Sequence, residues 1–158
     1  MLNEDFYLDF LKILNEYQVK FMVIGGYAVN LHGYSRHTGD LDIWSNPKKE
    51  NCERLIKAID KSGFETDILI NKDLTNESPI KLSDGFLKIE ILASIKGGFT
   101  FEEAYGRSSV IDTEKFKIRL ISYLDLIKNK EASMRMKDAT DVYYLKEIKK
   151  IKDNNKNK

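Results

Sequence analysis

Asp40 and Asp42 flank a single leucine, so a strand carrying them would project both carboxylates from one face, with Cα atoms roughly 6.5 Å apart. Converging to about 4 Å, two carboxylates repel by about 4 kcal/mol at an effective dielectric of 20, and a bound cation reverses that sign. Magnesium suits such a pair because it takes a few carboxylates and fills its other octahedral positions with water and phosphate oxygens. The alternative is a solvated strand face. The residues ahead of the pair favour the metal: the apolar run Phe21-Met22-Val23-Ile24 ends in Gly25-Gly26. There, backbone N–H groups and the dipole of a following short helix could face an anion. Arg36 and Thr38 offer a cation and a hydroxyl to triphosphate oxygens. The Walker lysine pattern and the dinucleotide G-x-G-x-x-G pattern are both absent, so this phosphate cradle is of another kind.

Two metals assisting an in-line transfer need a third carboxylate, and Glu90 is the candidate. Leu87, Ile89 and Ile91 share one face of an apolar run, leaving Lys88 and Glu90 on the other. Glu90 is then either a ligand or half of a Lys88–Glu90 surface pair. Lys130, Arg135, Lys137, Asp138 and Asp141 form a last cluster. Asp138 and Asp141 stand three apart on one helix face, where charge clusters are ordinarily solvated. His32 and His37, with no cysteine or third histidine nearby, read as loop or packing residues. Tyr143 and Tyr144 read as helix packing rather than a base-stacking platform.

The elements that must position these groups follow from periodicity. A helix is expected over residues 4–17 with Asn3 as its N-cap, then a buried strand from Lys20 to Ile24 and a short helix from Tyr27 to Leu31. Asp40 to Trp44 alternates as a half-buried strand, and Pro47 to Lys61 makes a helix with Gly63 past its end. Strands are expected over Phe64 to Ile70 and Phe86 to Leu92. Between them lies a polar loop from Asn71 to Asp84 containing an edge strand at Ile80-Lys81-Leu82. Phe101 to Tyr105 reads as one helical turn, and Phe116 to Leu120 as an edge strand. Ser122 caps a helix through about Ser133, and Lys137 to about Lys150 makes the last helix. The pattern is an α+β (mixed α/β) fold in a single domain over residues 1–150, followed by a disordered basic tail at 151–158.

The 158 residues carry 26 basic and 25 acidic side chains, a net charge of +1. That balance shows no global pull toward nucleic acid or anionic membrane, and it argues against a long RNA footprint. Cys52 is the single cysteine, so no internal disulfide forms. No apolar run approaches the roughly 20 residues that cross a bilayer, and the acidic N-terminus is unlike a signal peptide. A soluble, cytoplasmic chain without membrane contact is expected.

Gly25-Gly26, Leu31-His32-Gly33, Arg36-His37-Thr38 and Asp40-Leu41-Asp42 together resemble the active-site signature of the DNA polymerase β-like nucleotidyltransferase superfamily. The likeness is strongest to minimal bacterial nucleotidyltransferases, including AbiEii-type toxins. Lys130-Glu131-Ala132 and Lys137-Asp138-Ala139-Thr140-Asp141 resemble their later motif, and the resemblance spans about residues 19–146. It implies a polymerase β palm-like fold: a small mixed sheet backed by helices, with further helices at the C-terminus and the active site on one sheet edge. It implies that Gly25 and Gly26 hold phosphate and that Asp40 and Asp42 bind magnesium. Glu90 would be the third metal carboxylate, orienting or deprotonating the acceptor, and Lys130 and Asp138 occupy functional positions. Gly26 stands where many relatives have serine, and Glu90 where aspartate is commoner.

The implied activity is magnesium-dependent transfer of a nucleoside monophosphate from a nucleoside triphosphate to an acceptor hydroxyl, with release of pyrophosphate. The acceptor is an RNA end, a protein hydroxyl or a small molecule, and an antitoxin or toxin partner is consistent with the resemblance. The competing reading is a catalytically inactive nucleotide- or partner-binding module of a toxin–antitoxin-like system.

Overall fold

Phe21–Ile24 (β1) is buried at every position and lies inside a six-stranded sheet. On one side it pairs antiparallel with Asp40–Ser45 (β2), on the other parallel with Lys117–Leu120 (β6). β2 pairs in parallel with Lys88–Leu92 (β4), and Ile80–Ser83 (β3) and Ser109–Asp112 (β5) form the two edges. The resulting order is β3-β4-β2-β1-β6-β5, the mixed sheet with helices that the sequence pattern suggests. The computed structural model describes residues 2–70, 74 and 78–157.

Leu2–Glu16 (α1) buries Tyr7, Phe10, Leu11 and Leu14 and packs against Lys49–Lys61 (α3), which buries Leu55, Ala58 and Ile59. Gly25–Leu31 (α2) starts on the glycine pair itself. Phe101–Arg107 (α5) is opened by a capping box in which Thr100 and Glu103 satisfy each other's backbone N–H groups. Tyr123–Ser133 (α6) is capped by the Ser122 hydroxyl, which accepts from the Asp125 N–H, and Met136–Lys156 (α7) completes the chain. Among the described residues no helix is long and apolar enough to cross a membrane.

One side chain of α1 ties the two carboxylate-bearing strands together. The Tyr7 hydroxyl lies 3.0 Å from the Gly39 carbonyl and 3.1 Å from the Lys88 carbonyl, and it accepts from the Lys88 N–H at 3.2 Å. It thus pins the starts of β2 and β4, where Asp40 and Lys88 are paired. Tyr7→Phe leaves these backbone groups without their partner, and we expect a loss of about 1–3 kcal/mol in denaturant unfolding.

Several local expectations are corrected. Phe64 to Ile70 is not a strand: only Asp67–Ile70 is regular, as a single helical turn (α4), because β3 already holds the free side of β4. β6 is an interior strand, since β5, absent from the sequence reading, forms the edge beside it. α1 begins at Leu2, so Asn3 lies inside the helix rather than capping it. α7 continues to Lys156 through most of the expected disordered tail. Lysine is a good helix former, and each added residue extends a ladder already nucleated. Of the expected polar loop, residues 71–73 and 75–77 lie outside the described residues.

Candidate active site

The parallel register of β2 on β4 sets Asp42 beside Glu90. Asp40, two residues back on the same face of β2, is exposed, whereas Asp42 and Glu90 are half-buried. Burial pushes the Asp42 carboxyl up from 3.8 to about 7; the charges of Glu90 and Asp40 push the same way, and Lys130 and Arg135 pull against them. Glu90 forms no ion pair with Lys88 among the described residues, so the surface-pair alternative is not what the structure shows.

The glycine pair is a steric requirement. A Cβ on Gly25 would stand 2.2 Å from Asp42 Oδ2, and Gly25 also holds φ +67°, which disfavours any L side chain. A Cβ on Gly26 would stand 2.3 Å from Thr38 Oγ1. The Thr38 side chain therefore fills the space that a side chain at position 26 would take. Gly25→Ala displaces the Asp42 carboxylate as well as straining the turn. We expect it to lower stability by about 1–3 kcal/mol and to reduce nucleotidyl transfer at least tenfold, read by thermal melting and by a transfer assay.

Arg36 does not stand free. Its Nε and Nη2 donate to the two oxygens of Asp141 at 2.6 and 2.8 Å, and its Nη1 donates to the His37 carbonyl at 2.9 Å. Lys130, 6% exposed, sits between Asp138 at 2.8 Å and Asp141 at 2.9 Å. The Ser133 hydroxyl and Arg135 Nε also donate to Asp138. Burial alone would raise the Asp138 carboxyl, but these donors bring it down to about 2. Of the cluster expected to be a solvated helix face, Lys130, Asp138 and Asp141 are instead buried in a network that joins α6, α7 and the loop carrying Arg36, while Arg135 and Lys137 are exposed. The sequence supplies its carboxylates by helical spacing; their cationic partner Arg36 lies 105 residues away.

All nine expected site residues line one cleft of about 840 Å³: Gly25, Gly26, Arg36, Thr38, Asp40, Asp42, Glu90, Lys130 and Asp138. The cleft adds residues that no local pattern marked, among them Ser94, Lys96, Asn129 and Ser133. Asn129 Nδ2 donates to the Lys96 carbonyl at 2.8 Å, tying the segment after β4 to α6. The acidic side chains offer oxygen donors only, which suits a hard cation such as magnesium. The fit is one of donor type: among the described residues no three His, Cys, Asp or Glu side chains are gathered tightly enough to hold a metal as they stand.

Over residues 3–158 the sequence matches the family described as "Nucleotidyl transferase of unknown function (DUF2204)". The chain belongs to this family and is a nucleotidyltransferase. A similar solved structure is the lincosamide antibiotic adenylyltransferase LnuA in its lincomycin-bound form. It is 19% identical with a TM-score of 0.62, over 90% of this chain and 96% of that one. At that identity the likeness establishes the fold, and with the family match it bears out the polymerase β-like nucleotidyltransferase reading. An antigenic nucleotidyltransferase-like protein from Paracoccidioides brasiliensis is 16% identical with a TM-score of 0.49, over 84% of this chain and 68% of that one. No curated protein matches the sequence.

Proposed function

We propose that this nucleotidyltransferase moves a nucleoside monophosphate from a nucleoside triphosphate to an acceptor hydroxyl, releasing pyrophosphate, with magnesium held by Asp40, Asp42 and Glu90. The observation that carries this reading is the division of charge within the cleft. Asp40, Asp42 and Glu90 form no ion pair among the described residues, while Arg36, Lys130 and Arg135 share the two carboxylates of Asp138 and Asp141, which leaves that network one positive charge in surplus. Elsewhere on the same cleft stand the exposed cations Lys96 and Lys137, which form no ion pair among the described residues, and Arg135, which shares Asp138 with Lys130. A carboxylate group short of positive charge, facing cations short of negative charge, is complementary to a metal-bound polyphosphate.

Magnesium bound at the carboxylates would supply Lewis acidity at the phosphate under attack and a template for its oxygens. The Thr38 hydroxyl and the Gly26 N–H meet a phosphate oxygen at the head of α2. Lys96, with no ion pair among the described residues, and the exposed Arg135, which has only a share of Asp138, neutralise the polyphosphate, because the Arg36 charge is held in a bidentate pair by Asp141. Glu90 takes the proton of the acceptor hydroxyl as its oxygen bonds to the α-phosphorus. The bond from that phosphorus to the bridging oxygen breaks, and its electron pair leaves with pyrophosphate. The Lys130–Asp138–Asp141 network fixes the α6–α7 junction and hence Arg135. The chain's main contribution is to hold two reactants in line.

The test is incubation of the protein and a cell extract with each nucleoside triphosphate labelled at the α-phosphate, with magnesium and with a chelator. Magnesium-dependent transfer of label with release of pyrophosphate is expected. Thermal stabilisation by nucleotides with no transfer to any acceptor in the extract would favour the inactive binding module instead.

A further inference from the structure

The structure leaves Tyr143 and Tyr144 standing 60% and 43% exposed on α7, where the sequence pattern suggests packing. The Tyr144 ring stacks on Tyr34 with centroids 4.8 Å apart, and Tyr143 meets Tyr144 edge-on at 5.2 Å. Tyr34 belongs to the loop that runs from α2 to Arg36 and Thr38, so this aromatic group borders the cleft-forming loop. Lys137, Tyr144 and Lys152 are spaced by seven and eight residues, which places them along one stripe of α7 about 22 Å long. Lys137 lines the cleft at one end of the stripe. At the other end Lys152 reaches the same loop, its Nζ 3.0 Å from where a Cβ on Gly33 would lie. Neither lysine forms an ion pair among the described residues.

The net charge of +1 hides a strong segregation. Residues 115–158 hold 13 lysines and arginines against 6 acidic residues, whereas residues 1–114 hold 13 against 19. The helix that leads away from the cleft is therefore in the basic part of the chain, and it alternates cation, exposed aromatic and cation. Flat rings between cations suit unpaired bases joined by phosphates, since every base has a face to stack and every link a charge to neutralise. An acidic peptide would use the lysines and leave the rings without a role, and a small acceptor would need nothing outside the cleft.

We propose that the Lys137–Tyr144–Lys152 stripe, with Tyr34 and Tyr143 beside it, holds a single-stranded polynucleotide whose 3′ hydroxyl enters the cleft as the acceptor. The inference rests on the transfer reading above and names its substrate class. The 3′ oxygen forms the new bond to the α-phosphorus, its proton passes to Glu90, and pyrophosphate leaves with the electron pair of the broken bond. Ribose and deoxyribose strands share this chemistry.

The experiment measures fluorescence anisotropy of the full chain with 5′-labelled 12-nucleotide single strands of RNA and of DNA. A blunt duplex and polyglutamate serve as controls. Single strands should bind in preference to both controls, and about tenfold more weakly at 200 mM than at 50 mM salt. Tyr144→Leu, which keeps an apolar contact for Tyr34, and Lys152→Gln should each weaken binding about five- to tenfold. With magnesium and a nucleoside triphosphate, strands ending in a 3′ hydroxyl should lengthen by a nucleotide and strands ending in a 3′ phosphate should not; the sugar that is extended identifies the strand.

Absence of binding at 50 mM salt, or binding indifferent to both substitutions, overturns the proposal. So does polyglutamate binding as tightly as the strands. Magnesium-dependent labelling of a small molecule or protein, with no strand bound, removes the polynucleotide acceptor and leaves the transfer reading intact. Strands held by the stripe but never extended, in a protein that labels nothing else, would support the binding surface and overturn the transfer reading.

Discussion

Asp42→Asn is expected to abolish nucleotidyl transfer while raising the melting temperature of the metal-free protein. Both effects come from one carboxylate. Asp42 is half-buried beside Glu90 and one turn of the pleat from Asp40, and in that setting its carboxyl titrates near 7 rather than 3.8. A folded-state value above the unfolded one means that the fold prefers the protonated acid. The resulting destabilisation is absent below about pH 4, grows as the pH rises to about 7 and is constant above that. Its full size is on the order of 4 kcal/mol, taking 1.36 kcal/mol for each unit. Asparagine keeps the shape and removes the charge. Even half that figure recovered would raise the midpoint by about 4–8 °C in a chain of this size. Melting curves of wild type and variant in chelator, between pH 4 and 8, should diverge as the pH rises. Magnesium should then stabilise the wild type more than the variant, which keeps Asp40 and Glu90 but lacks the third carboxylate. A variant less stable than wild type at pH 8 would show that Asp42 is held for structure rather than held ready for a cation.

Close placement in sequence is what made half of this site legible. Gly25-Gly26, Thr38, Asp40 and Asp42 lie within one strand–helix–loop–strand unit, β1-α2-β2, so closeness in sequence brings them together, and Glu90 joins them because β2 and β4 pair in parallel. The meaning of Gly26 was not legible: that Thr38 fills the space of a side chain there is a contact across a loop. Arg36 shows the limit more sharply. An arginine next to a threonine and two aspartates reads as a phosphate ligand. Its charge is matched instead by Asp141, 105 residues on, a pairing that exists only once α7 has docked. The same applies to Phe64–Ile70, whose apolar residues suit a strand. Strand pairing needs a free edge, and β3 occupies the one beside β4. The short β5, by contrast, has little pattern of its own and becomes a strand by pairing with β6.

Asp141→Ala is expected to be the most destabilising substitution in the chain's charged network. Asp141 is 1% exposed and holds two cations: Arg36 through a bidentate pair and Lys130 at 2.9 Å. Its removal leaves Arg36 with only the His37 carbonyl, and the buried Lys130 with Asp138 as its one carboxylate. Stripping a partner from a buried pair costs about 3–5 kcal/mol, far more than the pair contributes relative to apolar residues. The loop from Gly33 to Gly39 would lose its tether to α7, so Thr38 would no longer be held against Gly26 and transfer should fall along with stability. Arg36→Met in the Asp141→Ala background should recover part of the loss, because the orphaned charge goes too; the coupling between the two sites should exceed about 1 kcal/mol. Acid provides an independent reading of the same network. The donors around Asp138 and Asp141 hold both carboxyls below 3.8, Asp138 at about 2. Stability from them is therefore complete above about pH 4 and is lost as the pH falls toward 2. Wild type should unfold steeply across that window, and the Asp141→Ala variant, already without one of the two carboxylates, should show a shallower dependence. Equal slopes in the two proteins would mean that the acid sensitivity of the fold lies elsewhere.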